Sequence, residues 1–363
     1  MKRISNLFDQ VVDVRTIVAA AVRAARGKRD RAPVRSFLAR LDSESATLVQ
    51  QIGDGSFQFG AYCDFSIRDP KTRVIHAPSF RDRVVHHALI AVAGPVFERG
   101  AIPHSYACRK GRGQHAALTV ARRWTATSDW FLKIDVRKYY DSINLDLLRK
   151  LLARRFRETR LLILWDRLLA SYSHSPSHGL PIGALTSQYL GNFFLDPVDH
   201  CVLESLRLPR YLRYMDDLLF FGSRSELEAA RLRIIDVLGE RGLAAKNGGI
   251  LNRCDLGVPY LGFVIYPNRV RLNRLGRRRL RRRVSELERG WLSGRYTERE
   301  LQSRGEALYA HAQFGDDVAW RRIVGRFSKI WEGQDHEPCA AGRLLEQHGQ
   351  ELSVRVSQQE EAG

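Results

Sequence analysis

Over the first 55 residues Ala, Leu and Arg recur at amphipathic spacing, which predicts helices broken near Gly27 and Pro33. After Asp54-Gly55 the rhythm changes to alternation. Phe57-Gln-Phe59, Tyr62-Cys-Asp-Phe65 and, beyond an Asp69-Pro70-Lys71 turn, Thr72 to His76 each read as strand. The helical pattern returns from Ser79 to Val96, with Pro95 near its end, and again from about Gln114. Trp130 to Asp135 is a compact apolar run ending in a carboxylate, and Leu145 to Leu169 reads as helix. Tyr211 to Phe221 predicts strand, turn, strand, 225–241 a helix, and Pro259 to Tyr266 another strand-like stretch. Beyond it the chain is Arg-rich and mainly helical, down to a polar tail expected to be partly disordered.

Composition narrows the partners. At 363 residues and 44% hydrophobic content the chain can bury a core shared by two or three modules. Lys and Arg number 59 against 40 Asp and Glu, a formal net charge of +19, which favours nucleic acid over an anionic membrane. The five cysteines are scattered with no CxxC spacing, so a zinc knuckle or disulfide framework is not expected and a reducing cytosol suits the chain. Charges run through the first 15 residues and no apolar run approaches the roughly 18–20 residues that span a bilayer, so no signal peptide, membrane span or membrane partner is expected.

The strongest chemical signal is Tyr214-Met215-Asp216-Asp217 between two apolar segments, the pattern of a β-hairpin with two acids at its tip. Asp135 ends a second apolar run, and in one sheet with the hairpin it would converge on Asp216. A few converging aspartates are what Mg²⁺ needs for phosphoryl transfer, since it binds carboxylate oxygens together with substrate phosphates. An ordinary acidic turn is the alternative for the Asp-Asp pair on its own.

These residues carry a resemblance. Tyr214-Met-Asp-Asp217 resembles the YxDD box of reverse transcriptases, and Asp135-Val-Arg-Lys-Tyr-Tyr-Asp-Ser-Ile143 resembles their first metal-binding motif in its bacterial form. The likeness runs from about 55 to 325, and it implies an α+β right-hand polymerase with fingers, a palm of antiparallel sheet on helices, and a helical thumb. It implies an RNA-directed DNA polymerase with Asp135, Asp216 and Asp217 as catalytic metal ligands for two Mg²⁺ ions, for which Mn²⁺ can substitute. Tyr140 falls at the family's steric gate against the sugar 2′-position, its alternative being a core tyrosine beside Tyr139. Lys71 and Arg73 would lie near the incoming triphosphate, with template RNA, primer or cDNA and dNTPs as partners.

The loop Arg109-Lys110-Gly-Arg112-Gly113 offers cations and backbone N–H groups to phosphate. Tyr260-Leu261-Gly262 resembles the primer grip, and Arg277 and Arg281 stand in an Arg-rich helix that would track the duplex backbone. Arg81 and Arg83 are explained as well by ion pairing with Asp82 or a solvated face as by RNA contact, and His174 and His178 read as a loop pair rather than a zinc site. Whether Lys246 protonates the departing pyrophosphate is open.

The subtype rests on Leu180-Pro-Ile-Gly-Ala-Leu-Thr-Ser-Gln188, where Ile182 and Gln188 replace the usual Gln and Pro. That form is similar to reverse transcriptases of diversity-generating retroelements, which copy a template-repeat RNA with errors opposite adenine. The resemblance implies a bacterial or phage cytoplasmic setting and a small basic pentameric accessory protein. Alternatives are a retron- or defence-associated reverse transcriptase and a catalytically idle RNA-binding relative. The expected modules are an N-terminal helical extension (1–55), fingers (56–130, with 145–180 as a helical part of fingers or palm), palm (131–268), thumb (269–335) and tail (336–363).

Overall fold

The computed structural model describes residues 3–68, 72–172, 174–175, 177–312 and 314–315, so Lys71 and the expected tail lie outside the described residues. Four helices come first: α1 (Phe8–Val11), α2 (Val14–Ala24), α3 (Ala32–Ala39) and α4 (Leu41–Gly53). Strands β1 (Cys63–Arg68) and β2 (Thr72–Ala77) precede α5 (Phe80–Gly100), α6 (Gln114–Ala126) and β3 (Trp130–Asp135). Then come α7 (Tyr139–Ser142), α8 (Leu145–Arg155), α9 (Thr159–Ala170) and α10 (Leu185–His200), which runs on into a π-helical turn, Cys201–Ser205. The chain continues through β4 (Tyr211–Tyr214), β5 (Asp217–Gly222), α11 (Arg224–Gly239) and β6 (Ile250–Arg253). Last are β7 (Val258–Tyr260), β8 (Phe263–Ile265), β9 (Val270–Leu272), α12 (Arg274–Leu292) and α13 (Glu298–Ala312).

Two compact units result, one holding residues up to Ala117 with Ser128–Asn252, the other Leu118–Thr127 with residues from Arg253 on. In the first, a four-stranded sheet has the order β4-β5-β3-β6, and a separate antiparallel pair is formed by β1 and β2. The core of this unit is aliphatic and aromatic. Leu132, Ile134, Leu218 and Phe220 of the sheet are fully buried, as are Trp165 of α9 and Phe194 of α10. Burying each such side chain contributes roughly 1.5–3 kcal/mol, so the sheet is firmly seated. In the second unit β7, β8 and β9 form an antiparallel sheet. Asn273 starts α12 by accepting from the Gly276 N–H at 2.7 Å.

Three local expectations need correction. Phe57-Gln-Phe59 alternates like a strand but pairs with none: its carbonyl at Phe57 accepts from Arg167, and Phe57 turns into the core against Phe59. The stretch Leu145 to Leu169 is two helices, because the backbone of Ile4 inserts at the break and bonds Arg155 and Arg157. The expected helix at Ser79 to Val96 runs on past Pro95 to Gly100, with Ser79 as its cap. Among the described residues no helix is long and apolar enough to cross a membrane.

Candidate active site

The acidic cluster is a consequence of strand register. β3 and β5 pair antiparallel with Asp135 opposite Asp217, and β4 and β5 close a hairpin in which Tyr214 pairs with Asp217. Directly opposed residues project to one face with Cβ atoms about 4.5–5.5 Å apart, so Asp135 and Asp217 are neighbours. Met215 and Asp216 form the two-residue loop, and the Val136 N–H donates to the Asp216 carbonyl at 3.4 Å.

Charge accumulates there. Burial pushes the Asp216 carboxyl up to about 6, reinforced by Asp217 and Asp135 and opposed by Arg73. Two lysines sit on the other acids: Lys133 Nζ lies 3.0 Å from Asp217 Oδ1, and Lys246 Nζ 3.6 Å from Asp135 Oδ2. Among the described residues no three His, Cys, Asp or Glu side chains stand close enough together to hold an ion as they are. The donor set nonetheless fits Mg²⁺, which takes a few carboxylate oxygens and keeps water and substrate phosphates for the rest. A divalent ion would also relieve the like-charge repulsion on Asp216. Asp135, Asp216 and Asp217 are the residues that would hold it.

The hairpin tip is secured from below by a group that sequence reasoning missed. Arg213 of β4 is wholly buried and donates to both oxygens of buried Asp199, at 2.8 and 2.6 Å. The same guanidinium donates to Asn192 Oδ1 at 2.9 Å and to the Met215 carbonyl at 3.0 Å. Burial opposes the charge on Arg213, but contact with Asp199 outweighs it and keeps the guanidinium protonated. Met215 has φ +53°, a conformation disfavoured for a side chain of its size, and the bond to its carbonyl helps hold it there. The only signal in the sequence was an arginine inside an apolar strand, which reads equally as an edge residue.

Tyr140 lies over this tip, its hydroxyl 3.9 Å from Met215 Sδ. Its ring rests on Gly191 of α10, where a Cβ would come within 3.5 Å. Burial raises its phenol, as do Cys108 and Asp216, while Arg73 opposes. Arg73 on exposed β2 therefore faces both Tyr140 and Asp216 electrostatically. The Ile182 carbonyl accepts from the His76 N–H at 2.8 Å, which ties its loop to β2. Gly183, at φ +116°, abuts the same strand, and a Cβ there would meet Ile75 at 2.6 Å. Gln188 is exposed on the first turns of α10.

Other expected residues fall elsewhere. Arg109 was expected on phosphate, but its guanidinium is turned inward, onto Glu98 at 2.7 Å and the Ile102 and Ser105 carbonyls at 2.7 and 2.9 Å. Lys110 and Arg112 of that loop are exposed, with Arg112 over the Tyr106 ring. Tyr260, Leu261 and Gly262 belong to the second unit, where Leu261 (φ +45°) and Gly262 (φ +89°) form the β7–β8 turn above buried Tyr260. Arg277 and Arg281 are exposed one turn apart on α12 of that unit. His174 and His178 meet through their backbones, as a loop pair.

An antiparallel sheet flanked by helices, with a strand-end aspartate beside an Asp-Asp hairpin, defines an α+β protein of polymerase type. Residues 67–265 match the family described as "Reverse transcriptase (RNA-dependent DNA polymerase)", more than half of the chain, and the chain belongs to that family with its expected fold. It is 29% identical over 170 residues to a putative COX1/OXI3 intron 1 protein of Saccharomyces cerevisiae, covering 44% of this chain and 20% of that one. Protein YkfC of Escherichia coli is 29% identical over 145 residues, covering 37% of this chain and 38% of that one. The group II intron-encoded protein LtrA of Lactococcus lactis is 25% identical over 140 residues, covering 37% of this chain and 23% of its own. The chain thus spans well under half the length of these relatives. A solved structure of telomerase from Candida albicans with a telomeric RNA fragment aligns with a TM-score of 0.46 at 12% identity, over 77% of this chain and 56% of that one.

Proposed function

We propose that the chain is an RNA-templated DNA polymerase that makes error-prone, adenine-mutagenised cDNA from a template-repeat RNA for targeted protein diversification. The observation that carries the polymerase reading is the register that sets Asp135 opposite Asp217 with Asp216 at the adjoining tip. Two Mg²⁺ ions held by these acids would supply charge stabilisation to the attacking 3′-oxygen and the leaving pyrophosphate. The chain's own residues would do the remaining work. Arg73 pairs with the triphosphate, and Tyr140 closes the space under the sugar. Lys246, beside Asp135, is placed to give a proton to the departing pyrophosphate. Arg213 and Asp199 hold the tip in register throughout.

In this reading the sheet β4-β5-β3-β6 is the palm, β1 and β2 belong to the fingers, and the Tyr260–Gly262 turn is the primer grip. Helices α12 and α13 form the thumb, with Arg277 and Arg281 on the duplex backbone. Ile182 and Gln188 support the diversity-generating subtype, and with it a small basic pentameric accessory protein in a bacterial or phage cytoplasm. Ile182 offers no hydrogen bond near the nascent pair, which relaxes discrimination at insertion. The intron-encoded proteins among the chain's relatives favour a second reading, service to an intron RNA.

Primer extension with Mg²⁺ on an adenine-containing RNA, followed by sequencing of the cDNA, tests both parts. The expected product carries errors concentrated opposite adenine, and Ile182→Gln lowers them about tenfold, the scale of one polar contact. Equal error rates in parent and variant would discard the role of Ile182. RNA binding without extension would leave only the second reading.

A further inference from the structure

We propose that the α2–α3 turn and the first two turns of α5 form a second polyanion site, built from none of the catalytic residues, that takes the phosphodiester backbone of RNA. The inference rests on the reading of the chain as an enzyme that handles RNA, and adds to it where that RNA is held.

The backbone of the site is fixed. α2 ends at Ala24, Gly27 turns the chain at φ +67°, and the Lys28 and Arg31 N–H groups donate to the Ala25 and Lys28 carbonyls at 3.0 and 3.1 Å. α2 packs against α5 through small side chains: Ala20, Ala21 and Ala24 are buried on one helix, Val84, Val85 and Ala88 on the other. That close approach brings the turn to Arg83 and His87, which stand one helical turn apart on the same face of α5 and are half-buried.

What gathers there is mainly positive charge. The Lys28 ammonium is depressed by burial and then by Arg83 and Arg31, and Arg83 by burial and Arg31. His87 is lowered to about 4 by burial, Arg23, Arg83 and Lys28. No carboxylate figures among the charges acting on these three groups. Asp30, exposed in the turn beside Arg31, takes part in no ion pair among the described residues, and Asp82, beside Arg83, is committed elsewhere: it accepts from the Ser79 hydroxyl at 2.8 Å and from the Gly60 N–H at 3.1 Å. Arg81 leaves the cluster as well, donating to Gln51 and covering the Phe57 ring. The ion pairing of Arg81 or Arg83 with Asp82 that the sequence allowed is therefore not the arrangement adopted.

Several other arginines of the same unit are paired, Arg149 with Asp146 and Asp166, Arg40 with Glu44, Arg224 with Glu228. Against that background the four cations Arg23, Lys28, Arg31 and Arg83 outnumber Asp30, the one acid of the turn, and cost stability through mutual repulsion. An anion that enters offsets the cost. Three of the four are arginines, whose planar forks suit phosphate oxygens. Their spread over two elements suits a chain of phosphates more than a single small anion. An acidic peptide is the competing occupant.

The test is fluorescence anisotropy of the full chain with a labelled single-stranded RNA in EDTA, comparing the wild type with the triple variant Lys28→Gln/Arg31→Gln/Arg83→Gln across a salt series. The site predicts at least about a tenfold loss of affinity near physiological salt. It also predicts a log K against log salt slope shallower by about 2, at about 0.7 per lost phosphate contact. Because repulsion is relieved, the variant should melt at the same temperature as the wild type or higher. Its primer extension at saturating RNA should be unchanged. Unaltered affinity and slope overturn the site, and so does a variant that keeps RNA but loses binding to polyglutamate. A wild type that binds no RNA at all sinks the polymerase reading instead, and this site with it.

Discussion

Tyr140 is held between a glycine and a methionine. Gly191 lies against its ring, and Met215 at the hairpin tip meets its hydroxyl, so the side chain has little freedom beside Asp216. If it is the steric gate, Tyr140→Ala should raise ribonucleotide incorporation relative to deoxyribonucleotide by about 10–200-fold, the range a pocket contact supplies, while Tyr140→Phe should keep discrimination. Competition of dNTP with rNTP in single-nucleotide extension checks it, and unchanged selectivity in the alanine variant would remove the assignment. At this scale the acids were legible, because two aspartates between apolar strand formers have few other places to go. Arg213 was not. Its partner Asp199 lies 14 residues away on a helix, and nothing along the chain marks an arginine as having 0% exposure. Arg109 erred in the other direction: a Gly-rich basic loop looks exposed, yet its first cation closes the loop on itself.

Among the longer helices, α10 was the one not read from the pattern. Ten of its residues are buried, Thr186, Asp196 and Asp199 among them, and Pro197 lies inside it. A helix covered on nearly every side shows no apolar stripe, which is the signal that periodicity detects. The hairpin and α11 were legible because each has a clear period and, for α11, a Ser223/Glu226 capping box. α10 also carries the unit's most consequential electrostatics. Removing one partner of its buried pair, as in Asp199→Asn, should cost about 3–5 kcal/mol in urea unfolding, because Arg213 is left charged and under-bonded. A loss under about 1 kcal/mol would mean the pair is incidental to the fold. Asp196 predicts a pH dependence. Burial, with Asp199 second, pushes its carboxyl up to about 7, whereas an unfolded Asp titrates near about 3.9. The folded state therefore keeps a proton that the unfolded state releases, so stability is highest below pH about 4 in this contribution and falls as pH rises to about 7. The loss is on the order of 4 kcal/mol, and Asp196→Asn should flatten it. A parent and variant with parallel stability profiles over that window would contradict the assignment.

On the scale of the whole molecule, strand order was beyond local patterns. That β3 lies between β5 and β6 joins residues about 80 positions or more apart in the chain, and only that order sets Asp135 beside the hairpin. The charge of +19 pointed to a polyanion without saying where it binds, and the meeting of Lys28 and Arg31 with Arg83, more than 50 residues on in the chain, is not visible in a local pattern. The account as a whole depends on three carboxylates acting as one site. The most direct measurement is Mg²⁺-dependent primer extension on an RNA template by the parent, Asp135→Asn and Asp216→Asn, with RNA affinity measured alongside. Each variant should bind RNA within about threefold of the parent and extend primer at least about a thousandfold more slowly, since several kcal/mol of charge stabilisation is withdrawn. Extension by either variant at close to the parental rate would contradict the account.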